Sequence, residues 1–306
     1  MNKLLEQTID QAQKMLEQSK DWQQTYEEIS KTLTENKAQL DQFYKQVKNY
    51  EVIQFYLSDV PSTPSDTILI QARYQGQPIA DISISKEETT ISTKQPNENN
   101  KKTYNCDIQL EGEELNTKDT YKFLEFFNKE IKPKDKIDEQ AHLNSMLLQE
   151  FAKTSSYDKL LTGIQPIKYS NLFYPIPIIL NTEEEHGYID ILTRTKVRKL
   201  TIIEILTEKA TPEMILANAT SKAIFLLNLL HTEQGQIWYK ILGFHGRVTP
   251  HLTIKVCIAV PKQLKAKCKE FEPYELRANT DSIEYHYMTY DTDGDKITKI
   301  DTTLNN

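Results

Sequence analysis

Glycine is scarce, 8 in 306 residues, and the chain holds neither a glycine-rich phosphate loop nor a G-x-S-x-G turn. The Rossmann, kinase and serine-hydrolase classes therefore lack the backbone cradle or nucleophile turn their chemistry needs. Cysteines number 3, Cys106, Cys257 and Cys268, with no C-x-x-C pair and no His/Cys cluster at metal-ligand spacing. A zinc site and a disulfide framework are both unsupported, and free thiols in a reducing compartment are expected. No apolar run approaches the length of about 18 residues that reads as a membrane span, so none is expected. The first residues, rich in charge and glutamine, do not read as a signal peptide, and a cytoplasmic location is expected.

The polar balance is acidic, with a net charge of −7. A generic nucleic-acid binder shows a basic excess instead. The distribution is uneven, however. From Gly187 to Glu270 there are roughly 13 lysines and arginines against 6 acidic residues. A locally positive face of this kind is what phosphate binding requires, although a solvated basic surface reads the same way.

Three regions follow along the chain. Residues 1–50 form a helical segment. Residues 3–49 carry no glycine or proline, and Leu5, Ala12, Tyr26, Leu33, Leu40 and Val47 recur at heptad spacing. This predicts one long helix, with Ser30–Thr34 as the candidate place for a break, used for self-association or packed against the chain's own next domain. Residues 51–132 read as an antiparallel β-meander plus one helix. The strands are Ile68–Tyr74, Ile79–Ser85, Thr89–Thr93 and Tyr104–Leu110, and the helix is Lys118–Ile131. Residues 137–306 read as an α/β domain. A helix over Asp138–Thr154 precedes strands at Ile176–Leu180, Tyr188–Thr193 and Lys199–Leu206. Thr211-Pro212-Glu213 then caps a helix running to about Leu230, and strands at Ile237–Phe244 and Leu252–Val260 follow. This order suggests a mixed central sheet with flanking helices. Ile283–Tyr290 and Lys296–Thr302, alternating around Asp293-Gly294, read as a hairpin rather than a calcium loop.

The most informative stretch is Gly187-Tyr188-Ile189-Asp190-Ile191-Leu192-Thr193-Arg194 with Lys199-Leu200-Thr201-Ile202-Ile203-Glu204-Ile205-Leu206. It resembles the PD-(D/E)XK nuclease superfamily, in which an acidic strand is followed across a hairpin by a strand bearing (D/E)-X-K. The resemblance covers roughly half the chain. It implies that Asp190 and Glu204 are the two carboxylates that converge on Mg²⁺, with Glu139, or its competitor Glu150, supporting from the preceding helix. Leu206 stands where the family has its catalytic lysine, and a leucine can neither hold a water nor offset charge. The Gln-x-x-x-Tyr pattern common in the next helix is also missing, its place being taken by Asn218-Ala219-Thr220-Ser221-Lys222.

Three readings stay open. In the first, the domain has lost catalysis and kept a fold that binds nucleic acid or a protein. In the second, the lysine has migrated to Lys209 or Lys222, leaving an active Mg²⁺-dependent nuclease. In the third, the fold is only a scaffold for assembly. Candidate catalytic residues are Asp190, Glu204 and Lys209, and candidate phosphate-binding residues are Arg194, Lys196, Arg198, Lys222 and Arg247. His231, His245 and His251 lie near strand ends of the same basic stretch, and Glu183-Glu184-Glu185-His186 reads as a charged loop.

Overall fold

A computed structural model describes residues 2–18, 21–47, 53–57, 66–92, 139–153, 159–167, 172–174, 187–189, 191–195, 199–268 and 272–304. The expected elements Tyr104–Leu110, Lys118–Ile131 and Ile176–Leu180 lie outside these residues, as do Cys106 and Glu183–His186. The chain is mixed α/β and divides into two compact units. One joins Met1–Glu27 to Met146–Asn306, and the other is Glu28–Ser145.

Three helices stand where one was expected: α1 (Asn2–Gln18), α2 (Asp21–Glu35) and α3 (Lys37–Val47). The break after α2 falls at Asn36, not at Ser30–Thr34. The Thr34 hydroxyl is spent inside the helix, donating to the Ser30 carbonyl. Asn36 is buried, and its side-chain amide donates to the carbonyls of Thr32 and Asp66 at 3.0 Å each. A side chain that bonds backbone in this way competes with helix continuation. The heptad stripe is buried within the chain itself: Leu5 and Ala12 are fully covered, and α1 packs on helix α5 (Pro212–His231).

In the Glu28–Ser145 unit, β1 (Ile53–Leu57), β2 (Ile68–Tyr74), β3 (Gln77–Ile84) and β4 (Thr89–Ser92) form an antiparallel sheet in chain order. β2 throughout, and β3 from Ala80 onward, alternate buried and half-buried positions, as their sequence predicts. β1 carries no such alternation, its pattern including two consecutive buried residues, and it was not anticipated. The unit also contains the start of α4 (Glu139–Ala152).

The other unit is built on a seven-stranded mixed sheet. The strands are β5 (Ile164–Pro166), β8 (Ile191–Thr195), β9 (Leu200–Ile205), β10 (Thr253–Pro261), β11 (Tyr274–Ala278), β12 (Asp281–Asp293) and β13 (Lys296–Thr302). Their order is β11-β12-β10-β9-β8-β5, and β13 pairs with β12. β9, β10 and β12 run parallel, while β8 lies antiparallel to β9. All six residues of β9 are buried, the pattern of a strand covered on both faces. A short separate pair, β6 (Leu172–Tyr174) and β7 (Gly187–Ile189), completes the strands.

Helix α5 begins as its sequence predicts. The Thr211 hydroxyl accepts from the Met214 N–H at 3.3 Å, and Pro212 opens the first turn. By length and composition alone α5 is apolar enough to cross a membrane, against expectation, but 78% of that window is buried inside the protein. It is the core helix of its unit, packed against β9, β10 and β12.

One expected strand is a helix. Ile237–Phe244 was expected as a strand, yet α6 spans Gly235–Ile241. An alternating strand would bury Ile237 along with Tyr239 and Ile241. Instead Trp238 and Leu242, four apart, are buried at 0% and 1%, and Ile237 is 38% exposed. The helical period won because Trp238 is the larger apolar surface to cover.

Candidate functional site

Glu204 sits near the C-terminal end of β9, and strand alternation places it on the face that α5 covers. There the Lys222 ammonium donates to its Oε1 at 2.6 Å. The two residues are only 8% and 6% exposed. Removing both ions from water costs several kcal/mol each, which their mutual attraction and hydrogen bond must offset. Leu206, two residues on, is fully buried, and its N–H donates to the Ala259 carbonyl. On the same face the Thr220 and Tyr285 hydroxyls meet at 2.8 Å, and Tyr285 stacks on Tyr274 with ring centroids 4.4 Å apart. Burial pushes both phenols up; Tyr285 hydrogen-bonds to Thr220, while Tyr274 contributes packing.

The other sequence-derived candidates scatter. Asp190 lies outside the described residues. Its neighbours Ile189 and Ile191 are fully buried, and Ile191 pairs with Ile203. Lys209 is exposed on the turn after β9, and among the described residues no ion pair holds it. Lys222, therefore, is the lysine that meets Glu204. Glu139 is exposed at the start of α4, in the Glu28–Ser145 unit. Glu150 is buried and occupied locally: it pairs with Lys153 and accepts the Leu160 N–H at 2.6 Å. The Arg194 guanidinium donates to the Gly243 carbonyl and to Gln165 Oε1. Arg247 is exposed, while Lys196 and Arg198 lie outside the described residues.

Mg²⁺ takes oxygen ligands in a near-ideal octahedron, usually from one or two carboxylates with waters. At the motif the described residues offer Glu204 alone, with one oxygen already bonded to an ammonium. No set of three His, Cys, Asp or Glu side chains placed to hold a metal occurs among the described residues. Asp190, the other candidate carboxylate, lies outside the described residues, and no chemical step is routed through a metal.

A second charged cluster, unforeseen from sequence, lies on the opposite face of the sheet. Glu284 on β12 pairs with Lys199 through Oε1. Its Oε2 is 3.6 Å from both Lys255 Nζ and His286 Nε2. Lys255 also donates to the Leu304 carbonyl, and His286 Nδ1 lies 3.1 Å from the Thr303 carbonyl. Burial works to raise Glu284, but the Lys199 hydrogen bond and the two lysine charges outweigh it and hold the carboxyl below its ordinary value. Burial lowers His286, helped by Lys255 and opposed by Glu284 and the Thr303 carbonyl. The unfolded chain therefore takes up a proton near pH 6.5 that the folded chain resists. Stability is expected to fall as pH drops below about 6.5, until the folded histidine titrates. His286→Asn keeps a donor for Thr303 and should flatten that decline; denaturant titrations across this window check it. Glu284 acts in a lower window, its contribution present above about pH 4.3 and lost as pH falls through its folded value.

Both described cysteines are held as thiols. Burial pushes the Cys257 thiol up, and burial with the Glu213 charge pushes Cys268 up to about 11.

No known protein family matches this chain, and no curated protein matches it. Among solved structures, the crystal structure of a repair endonuclease from Pyrococcus abyssi is similar over 74% of this chain and 90% of its own length, at 12% identity and a TM-score of 0.19. A likeness that weak carries no argument about function.

Proposed function

We propose that this chain is a nuclease-fold protein whose catalysis is impaired and which contacts nucleic acid. The observation that carries the reading is the buried Lys222–Glu204 pair. In the motif that the sequence resembles, the second carboxylate serves a cation and a lysine two residues on serves the water. Here the residue two on is a buried leucine, and a lysine from α5 neutralises the carboxylate from within. A carboxylate satisfied by an internal ammonium has no need of a metal to stay charged in the interior. The basic excess between Gly187 and Glu270 supports contact with phosphates.

A second reading draws on the same contact. Lys222 stands beside Glu204, as a migrated catalytic lysine would, and on that reading the chain is an active Mg²⁺-dependent nuclease. A nuclease assay on single- and double-stranded DNA and RNA with Mg²⁺ or Mn²⁺ separates the two. The expected result is no cleavage above that of the Asp190→Ala variant. Cleavage by the wild type that Asp190→Ala and Glu204→Gln both abolish would replace the first reading with the second.

A further inference from the structure

The parallel strands give the sheet two chemically different ends. Glu204 lies at the C-terminal end of β9. Lys199 precedes that strand's first residue and lies about 16 Å away at a strand rise of ~3.3 Å per residue. Thr253 of β10 and Ser282 of β12 stand at the Lys199 end, as does Thr195 of the antiparallel β8.

Several connections bring cations to that end. Arg194 of β8 holds the Gly243 carbonyl, fixing the 243–251 loop beside the β8–β9 strands. Gly243 is at φ +85°, and a Cβ there would lie 2.5 Å from the Arg194 guanidinium, so this approach needs glycine. Gln236 of α6 fastens the same loop from the other side, donating to the Gly246 carbonyl and accepting from the Val248 N–H. The loop and α6 thereby present Lys240, His245, Arg247 and His251, all exposed. His251 is anchored by Nδ1 on the Thr280 carbonyl at 3.0 Å. Between residues 231 and 253 the acidic count is one, Glu233. With histidines neutral, Lys240 and Arg247 leave this segment at a net +1 in a chain whose net charge is −7.

An independent feature lies at the residue before Lys240. Tyr239 and Phe244 stack with ring centroids 4.7 Å apart and an interplanar angle of 17°. Together with Lys199, Thr249 and His251 they line a recess at this end of the sheet. Phe244 is buried beneath, and Tyr239 is half-buried at the wall. Tyr239 is followed directly by Lys240 on α6, and a cation beside an aromatic ring is an element of single-strand binding: a phosphate pairs with the charge and an unstacked base packs on the ring. A duplex keeps its bases stacked and offers nothing to the ring.

We infer that the edge formed by α6, the 243–251 loop and the start of β9 is a binding surface for single-stranded nucleic acid, remote from the Glu204 end. The inference rests on the proposed contact with nucleic acid and assigns it a place and a strand preference. A strand lying here crosses the N-terminal ends of β9 and β10, so its phosphates do not approach Glu204. Binding and the altered motif are then physically separate.

Fluorescence anisotropy of the full chain with labelled oligonucleotides of about 20 nucleotides tests this, using single-stranded DNA, single-stranded RNA and duplex DNA. Single strands are expected to bind more tightly than duplex. Lys240→Glu with Arg247→Glu should weaken single-strand binding at least tenfold. It should also reduce the slope of log affinity against log salt by about 1.4, at ~0.7 for each phosphate no longer neutralised. Tyr239→Leu should weaken binding about tenfold while leaving the salt slope unchanged, because stacking releases no counterions. Circular dichroism confirms that each variant is folded. Wild-type binding that the charge-reversed variant retains, or a preference for duplex, overturns the surface and leaves the proposed function standing. A wild type that binds none of the three overturns both.

Discussion

Lys222→Met is expected to destabilise the Met1–Glu27/Met146–Asn306 unit by about 3–5 kcal/mol, because it strands the Glu204 carboxylate in the interior. Glu204→Met should cost a similar amount by stranding the ammonium. The double variant, with two unbranched apolar side chains of like volume, should return to within about 1 kcal/mol of the wild type or exceed it. This is the signature of a pair that is costly to break and cheap to replace. The chain's 2 tryptophans, Trp22 and Trp238, both lie in this unit, so denaturant unfolding followed by their fluorescence reports on it. Single variants that each lose less than about 1 kcal/mol would mean that solvent reaches the pair, since exposed ion pairs are worth that little. The same cycle bears on function. If the pair only satisfies the interior, the double variant keeps its nucleic-acid affinity. A nuclease depending on Lys222 would lose all cleavage in both single variants and in the double.

The pairing of Glu204 with Lys222 was half legible in the sequence. Both residues stand out as charges in apolar runs, Glu204 within Leu200–Leu206 and Lys222 among the alanines, leucines and isoleucines of α5. A charge in such a run needs a partner, and that much follows from composition. Which charge meets which depends on how far along β9 the helix lies, and no local pattern encodes that. The Thr211-Pro212-Glu213 start of α5, the β2–β3 alternation and the β12–β13 hairpin were all readable, because caps, alternation and turns are local. The Lys199–Glu284–Lys255–His286 cluster was not, since it exists only through the parallel pairing of β9, β10 and β12, which brings Lys199 to Glu284 from 85 residues away. Strand β11 was missed for a related reason. It is an edge strand of only 5 residues, Tyr274-Glu275-Leu276-Arg277-Ala278, and its apolar–charged alternation is too short to stand out beside the longer strands. The basic edge shows the same limit. Its residues were visible one by one, but their common location comes from the Arg194–Gly243 and Gln236–Gly246 hydrogen bonds.

Trp238→Ala should cost about 3–5 kcal/mol, the range for truncating a buried aromatic ring. Trp238 is the largest fully buried side chain among the described residues. Its ring lies 5.1 Å from Tyr26, which packs edge-on against Phe225 at 5.0 Å, and Trp22 reaches the same phenylalanine at 5.6 Å. Its indole N–H donates to the Tyr26 carbonyl at 3.1 Å. Trp238→Phe separates the two contributions: it keeps most of the apolar packing and removes one donor from the Tyr26 carbonyl, which keeps its place in the α2 backbone ladder, a loss of about 0.5–1.5 kcal/mol. The remainder of the alanine effect is cavity. Trp238 is also what pins α6, a helix of 7 residues too short to be stable alone. α6 carries Tyr239 and Lys240 and, through Gln236, the loop bearing Arg247. The alanine variant should therefore loosen α6 more than the sheet. Amide exchange in α6 should rise at denaturant concentrations where β9 and β10 remain protected. Single-strand affinity should fall with it, because an unpinned surface must be ordered at the moment of binding. Equal loss of protection in α6 and the sheet would show that Trp238 supports the whole unit and that the binding edge has no separate anchor.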